Sequence, residues 1–241
     1  MNLDTITTLD GKFWNKQELL GRMDDDDFYF GYLGSNVLSS SSCSDLLKSP
    51  KRYTDNLNKQ HKPTPQQRIG SMVHYMILEP EKWDAQKDTF KDTEKALAEE
   101  LAYCILDNSK CLDMIRNART EVPAVADLYG LPFRGKADIL GPSYIVDLKT
   151  TSGDLKKFKW KARDFNYDMQ MYIYCSLFNI SYKDFTFLVI DKQSTSIGIF
   201  ECSKDFYKSG RQKTLDAVNI YKSFFVDKKK KIEEFYTYGV L

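Results

Sequence analysis

Gly135-Lys136-Ala137-Asp138-Ile139-Leu140, the turn Gly141-Pro142, and Ser143-Tyr144-Ile145-Val146-Asp147-Leu148-Lys149-Thr150-Thr151 decide how this chain is read. Both halves are short and β-prone, and Gly-Pro between them marks a turn, so they predict two adjacent antiparallel strands. On such a pair Asp138 and Asp147 meet on one face. Asp147 and Lys149 lie two apart, so both point to the same side of their strand. Two carboxylates and an ammonium then converge among Ala137, Ile139, Ile145, Val146 and Leu148, where an unpaired charge is costly without a metal or partner. Paired carboxylates suit a hard divalent cation, Mg²⁺ or Mn²⁺, that prefers oxygen ligands. A neighbouring lysine can position a water and neutralise charge developing on a phosphate. The plainer alternative is a strand whose polar residues simply face water.

Working outward, Val122-Pro-Ala-Val-Ala-Asp-Leu-Tyr-Gly130 adds a preceding strand, giving three in succession. Residues 154–165 then predict a helix with Leu155, Phe158, Ala162 and Phe165 on one face, and 169–178 a second helix. Residues 185–200 read as two strands around a turn near Gln193. From Lys204 the chain is helical and ends in the run Lys228 to Lys231. Upstream, Ser39 to Ser44 caps a helix carrying Leu46 and Leu47, closed or bent at Pro50. Ile69, Met72, Val73, Met76 and Ile77 mark a buried helical face with His74 beside it. Residues 93–117 read as one further helix through Leu97, Leu101, Ile105 and Leu112. The order is helices, three strands, two helices, two strands, a helix: one mixed α/β domain with no internal repeat.

Composition bounds the rest. The 241 residues carry 35 Lys+Arg against 34 Asp+Glu, with 42% hydrophobic and 14% aromatic residues, enough for a real core and unlike a disordered chain. No apolar run reaches the roughly 18–20 residues of a membrane span, and the acidic N-terminus lacks the basic start of a signal peptide. Five cysteines, none in a C-x-x-C pair, argue against disulfide, zinc-ribbon and iron–sulfur frameworks and fit a reducing cytoplasm. Only His61 and His74 exist, which excludes a tris-histidine zinc site. Seven acids face three bases in the first thirty residues; the run Asp24 to Asp27 lacks the spaced oxygens and Gly of a calcium loop and reads as a solvated loop.

Gly135-Lys-Ala-Asp138, Ile145-Val-Asp-Leu-Lys-Thr-Thr151 and the following Tyr167-Asp-Met-Gln-Met-Tyr-Ile-Tyr174 resemble the RecB-like branch of the PD-(D/E)XK nucleases, especially the exonuclease VIII type of phages and prophages. Leu38 to Tyr53 resembles that branch's N-terminal helix. Gly70 and His74 match its G-x-x-x-H helix, and Gln170 and Tyr174 its Q-x-x-x-Y helix. The resemblance runs in order from about residue 38 to 178, with Ala137 standing where the superfamily name has Pro. It implies a restriction-endonuclease-like core, a central mixed β-sheet flanked by helices, at 119–203. A mostly helical N-terminal part (1–118) and a C-terminal helix (204–241) complete a single domain.

The resemblance further implies that Asp138 and Asp147 bind catalytic Mg²⁺ or Mn²⁺, with His74 and the Leu148 carbonyl as additional ligands. Lys149 would position the attacking water, Gln170 and Tyr174 would support the site and the DNA backbone, and Glu121 aligns with an acidic position before the strands. The expected activity is hydrolysis of phosphodiester bonds to 5′-phosphate and 3′-hydroxyl ends. An exonuclease on linear double-stranded DNA, 5′ to 3′, in phage recombination or replication is expected first. A structure-specific endonuclease and a non-catalytic DNA-binding or recombination partner stay open. A homo-oligomer, a single-strand annealing protein as partner, and the cytoplasm of a bacterial host are further expectations.

Two features needed weighing. Asp154 to Arg163 holds five bases (Lys156, Lys157, Lys159, Lys161, Arg163) and one acid, either the solvated face of a helix or a surface that follows DNA phosphates. Gly130-Leu-Pro-Phe-Arg-Gly-Lys-Ala137 approaches a phosphate-binding loop but lacks the terminal hydroxyl and runs into a strand, which excludes an intrinsic ATPase.

Overall fold

A computed structural model describes residues 4–57, 62–236 and 238. The chain opens on a short antiparallel hairpin, β1 (Thr5–Thr7) and β2 (Phe13–Asn15), followed by α1 (Lys16–Arg22), a π-helical turn at Asp27–Tyr32 and α2 (Leu33–Asn36). Helices α3 (Ser40–Lys48), α4 (Pro50–Leu57), α5 (Pro65–Leu78), α6 (Pro80–Gln86), α7 (Asp92–Leu106) and α8 (Ser109–Arg116) come next. Then β3 (Arg119–Leu128), β4 (Leu131–Leu140) and β5 (Ile145–Thr151) form an antiparallel meander. After α9 (Phe158–Asp164) and α10 (Tyr167–Phe178), β6 (Phe185–Asp191) pairs parallel to β5, and β7 (Ile197–Glu201) closes the sheet. Finally α11 (Lys204–Tyr221) runs into a π-helical turn at Lys222–Val226. The mixed sheet order is β3-β4-β5-β6-β7, with helices on both faces. The fold is the mixed α/β architecture expected.

Local chemistry sets several boundaries. Ser39 and Ser42 form a reciprocal capping box for α3, and Thr64 and Gln67 do the same for α5, where Pro65 opens the helix. Ser49 is extended, so α3 stops and Pro50 starts a new helix. The single helix expected at 93–117 is two, because Asn108 breaks the run and its side chain caps α8 by accepting from the Cys111 amide. The C-terminal helix is shorter than expected, and Lys228 to Lys231 lie beyond it. Asp24, Asp25 and Asp27 are exposed, as a solvated loop would have them; Asp25 accepts from the Asp27 and Phe28 amides, and Asp26 pairs with Lys82 at 2.9 Å. The near phosphate-loop motif is a hairpin turn, with Tyr129 and Gly130 both at positive φ (59° and 76°) as a two-residue type I′ turn demands.

The sheet divides the interior. Ala137, Ile145, Phe185, Phe187 and Val189 pack against α3, α9, α10 and α11. Ile139, Val146, Leu148, Leu188 and Ile190 pack against α5, α7 and α8. Residues two apart on a strand share a face, yet Ala137 and Ile139 lie in opposite layers. The pleat of β4 therefore breaks at Asp138. Its β3 partner breaks with it: the ladder pairs Thr120 with Ile139 and Val122 with Ala137, but skips Glu121, whose φ is +50°. A side chain larger than glycine in that region costs on the order of 1–2 kcal/mol. A third cluster, from Ile6, Trp14, Leu19, Met23, Phe28, Tyr29, Leu33 and Val37, docks the N-terminal segment on Val125 of β3.

Candidate active and metal site

The break at Asp138 is where both helical layers reach the sheet. The β4–β5 ladder stops at Ile139 and Val146, and beyond it Asp138 Oδ2 accepts the Leu148 amide at 2.7 Å in place of a backbone carbonyl. From the other strand Asp147, fully buried, accepts Gln170 Nε2 of α10 at 2.8 Å on Oδ1. Lys149 Nζ sits 2.5 Å from Asp147 Oδ2, so the buried carboxylate is ion-paired on that side. The ammonium also lies 5.0 Å from the centre of the Tyr167 ring. From the α5 layer, His74 Nε2 lies 2.8 Å from the Leu148 carbonyl, and its Nδ1 lies 3.9 Å from Asp138 Oδ2. With Nε2 donating to that carbonyl, Nδ1 keeps its lone pair on the acidic side.

Two glycines make these approaches possible. A Cβ on Gly70 would meet Thr150 Oγ1 at 2.9 Å, so the bare helix face lets α5 bring His74 down onto β5. A Cβ on Gly135 would meet the Tyr174 ring at 2.7 Å, and that ring fills the space beneath β4.

Ligand atoms of His74, Glu121 and Asp138 lie within 4.8 Å of one another, a spacing that can hold one cation. The electrostatics ask for positive charge at this point. Glu121 is pushed up to about 8, first by burial and then by Asp138 and Glu79. Burial and the Asp138 charge raise Asp147 to about 6 against the pull of Lys149. Asp138 is raised by burial. His74 is depressed to about 4 by burial and by Lys149, so it is neutral and ligand-competent at neutral pH. Lys149 is held protonated, because the Asp147 and Asp138 charges outweigh its own burial. Crowded carboxylates and a neutral imidazole together suit a divalent metal ion.

That balance predicts how metal and pH act on stability. Glu121 keeps in the fold a proton that the unfolded chain loses above about pH 4.5. Its contribution is therefore full at low pH and lost as pH rises towards 8. His74 acts in the opposite sense, but only below its ordinary value of 6.5. Between pH 6.5 and 8 His74 no longer contributes, and the raised carboxyls, Glu121 foremost, set the slope. The metal-free midpoint should fall across that window, Mn²⁺ or Mg²⁺ should raise it most at pH 8, and Glu121→Gln should flatten the slope. Thermal melts with and without chelator would show this; a metal-independent midpoint at pH 8 would count against the site.

The sequence expectations are brought together unevenly. Asp138, Asp147, Lys149, Gln170, Glu121, His74 and Leu148 converge, although the triad spaced for a cation contains Glu121 in place of Asp147. The Leu148 carbonyl already accepts from His74. Tyr174, on the same helix as Gln170, is buried against β4 and is not among the residues that line the cleft. Lys156, Lys157, Lys159 and Arg163 are exposed, while Lys161 turns back to donate to the Ser152 carbonyl at 2.8 Å. Two residues the sequence did not suggest also line the cleft of about 740 Å³ above His74 and Lys149. One is Lys192, whose Nζ donates to Thr150 Oγ1 at 3.1 Å. The other is Phe30, 70% exposed between buried Tyr29 and exposed Gly31. Lys192 arrives through the parallel register that sets Thr151 beside Asp191, and no local signal announces it.

A mixed sheet interrupted where paired acids and a lysine from adjacent strands meet a helix-borne glutamine is the architecture of a PD-(D/E)XK-type protein. The profile described as PDDEXK-like domain of unknown function (DUF3799) matches residues 39–232, and the chain belongs to that family. A crystal structure from Eubacterium rectale, provisionally described as an exonuclease, is similar with a TM-score of 0.69 at 18% identity, covering 82% of this chain and 85% of its own. At that identity the likeness is one of fold. A phage related exonuclease from Haemophilus somnus 129PT is 13% identical with a TM-score of 0.39, over 80% of this chain and 96% of its own, too distant to bear on the site. No curated protein sequence matches. Among the described residues no helix is long and apolar enough to cross a membrane.

Proposed function

We propose that the chain is a metal-dependent deoxyribonuclease, an exonuclease acting 5′ to 3′ on linear double-stranded DNA in phage recombination or replication. The observation that carries this reading is the meeting of Asp138, Asp147, Lys149, His74 and Glu121 at the one point where the sheet is broken and open to a cleft. His74, Glu121, Asp138 and Asp147 would hold Mg²⁺ or Mn²⁺, which would supply Lewis-acid polarisation of a phosphate and activation of water. Lys149, kept charged and fixed by Asp147, orients the attacking water and offsets negative charge growing on the phosphate. Gln170 holds the Asp147 carboxylate in one rotamer. Lys192 adds a second cation to the cleft wall, suited to a flanking phosphate. On this reading residues 1–241 act as one nuclease domain, in the cytoplasm of a bacterial host. A homo-oligomer around DNA and an annealing protein that takes the single strand complete the proposal.

Linear and covalently closed circular duplexes of the same sequence, incubated with Mg²⁺, test it. The expected outcome is release of nucleotides from linear DNA alone. Nicking of circles would replace the exonuclease by an endonuclease, and binding without cleavage would remove catalysis altogether.

A further inference from the structure

The exposed face of α9 and the residue just beyond its end carry two large aromatic side chains that the core does not use. Phe158 and Ala162 fix the helix, each 3% exposed, whereas Trp160 is 64% and Phe165 63% exposed. Spacing placed Phe165 on the buried face. In the structure α9 ends at Asp164 and Asn166 turns left-handed at φ 59°, which leaves Phe165 in solvent. Neither ring is isolated. Phe165 lies 5.8 Å from Tyr167, whose ring lines the cleft 5.0 Å from Lys149 Nζ. Trp160 borders a shallow groove of about 290 Å³ floored by Phe158, Phe200 and Phe206, with Lys159 and Arg163 on its rim. A row of aromatic faces thus leads from the cleft along α9, with Lys156, Lys157, Lys159 and Arg163 exposed beside it. The acids nearby are Asp154, Asp164 and Glu201, and Asp154 is engaged in accepting the Lys156 amide.

Cations that follow a phosphate backbone, interleaved with open aromatic faces, fit unpaired nucleotides: every base offers a π-face, whereas bases inside a duplex are already stacked. We propose that α9 and its groove bind single-stranded DNA, with Trp160 and Phe165 stacking on bases and Lys156, Lys157, Lys159 and Arg163 holding phosphates. The proposal rests on reading the neighbouring cleft as a nuclease site, and it gives that site a single strand as its immediate neighbour.

The test uses the full chain in chelator, so that cleavage plays no part. Tryptophan emission is followed during titration with oligothymidylate and, separately, with a blunt duplex. Trp14 is buried and Trp83 half-buried, so a base stacking on the protein quenches chiefly Trp160. The expected result is quenching by oligothymidylate that Trp160→Phe removes while keeping most of the affinity. Trp160→Ala and Phe165→Ala should each weaken single-strand binding roughly tenfold or more, with duplex binding changed far less. Each Lys→Gln change at 156, 157 or 159 should lower the salt slope by about 0.7. Both rings lie outside the core, so circular dichroism should show unchanged folding. Unchanged single-strand affinity in both alanine variants, or an equal loss on duplex, overturns the proposal, including the case in which the face serves a protein partner. Binding without metal is independent of cleavage, so loss of the nuclease reading and loss of this one are separable.

Discussion

Asp147→Asn is expected to reduce cleavage of linear DNA on the order of 10³-fold while leaving the protein folded. The substitution is isosteric, and its amide oxygen can still accept from Gln170 as Oδ1 does now. What disappears is the negative charge that faces Lys149 in the site. Some stability should be lost as well, because the amide nitrogen then faces the Lys149 ammonium, although burial and Asp138 already oppose ionisation of this carboxyl, moving it to about 6. Lys149→Ala should abolish cleavage as fully for the complementary reason: it removes the cation that, on the proposed reading, would face the attacking water. Asp147 then loses its neutralising partner and is driven further towards its protonated form. Cleavage assays beside circular dichroism distinguish a dead site from a dead fold. Full activity in either variant would end the assignment of this cleft as the active site.

Gly210→Ala should be the most destabilising of the small substitutions. A Cβ there would lie 2.0 Å from the Asp168 carbonyl oxygen and 2.5 Å from its carbon. The obstacle is backbone, so no rotamer change relieves it, and α11 must move away from α10. Overpacking of this kind costs about 3 kcal/mol. For a chain of this size that is roughly 6–12 °C in Tm. Because α10 also carries Gln170, its displacement should lower cleavage even in the fraction that remains folded. Gly21→Ala is the matched control: α1 has nothing within 4 Å of that position, and the change should be neutral or slightly stabilising. A Gly210→Ala melt within a degree of wild type would show that the two helices have slack that the structure does not display.

The residues that sequence reading found share one property: local spacing expresses their geometry. Asp147 and Lys149 are legible because a strand has period two, and Gln170 and Tyr174 because i and i+4 face one way on a helix. The route by which Asp138 joins Asp147 is not simple alternation. It depends on a pleat break shared with Glu121, and a left-handed glutamate leaves no trace in composition or periodicity. Lys192 and Phe30 were hidden for another reason. Each reaches the cleft through long-range packing, one by a parallel register and the other by an N-terminal segment outside the family-wide match. Strands β1 and β2, three residues each, are too short for any alternation to register.

The parallel pairing of β5 with β6 has a consequence for how the molecule comes into being. Antiparallel neighbours can zip from their turn, but β6 can find β5 only after the whole stretch from Ser152 to Asp184 has crossed over the sheet. That stretch supplies Gln170 and the aromatic-cationic face, and β6 ends beside Lys192. A chain folded only as far as Thr151 would own its acids and Lys149 but lack the amide that steadies Asp147 and the far wall of the cleft. On the proposed nuclease reading, competence to cut would wait on this non-local pairing.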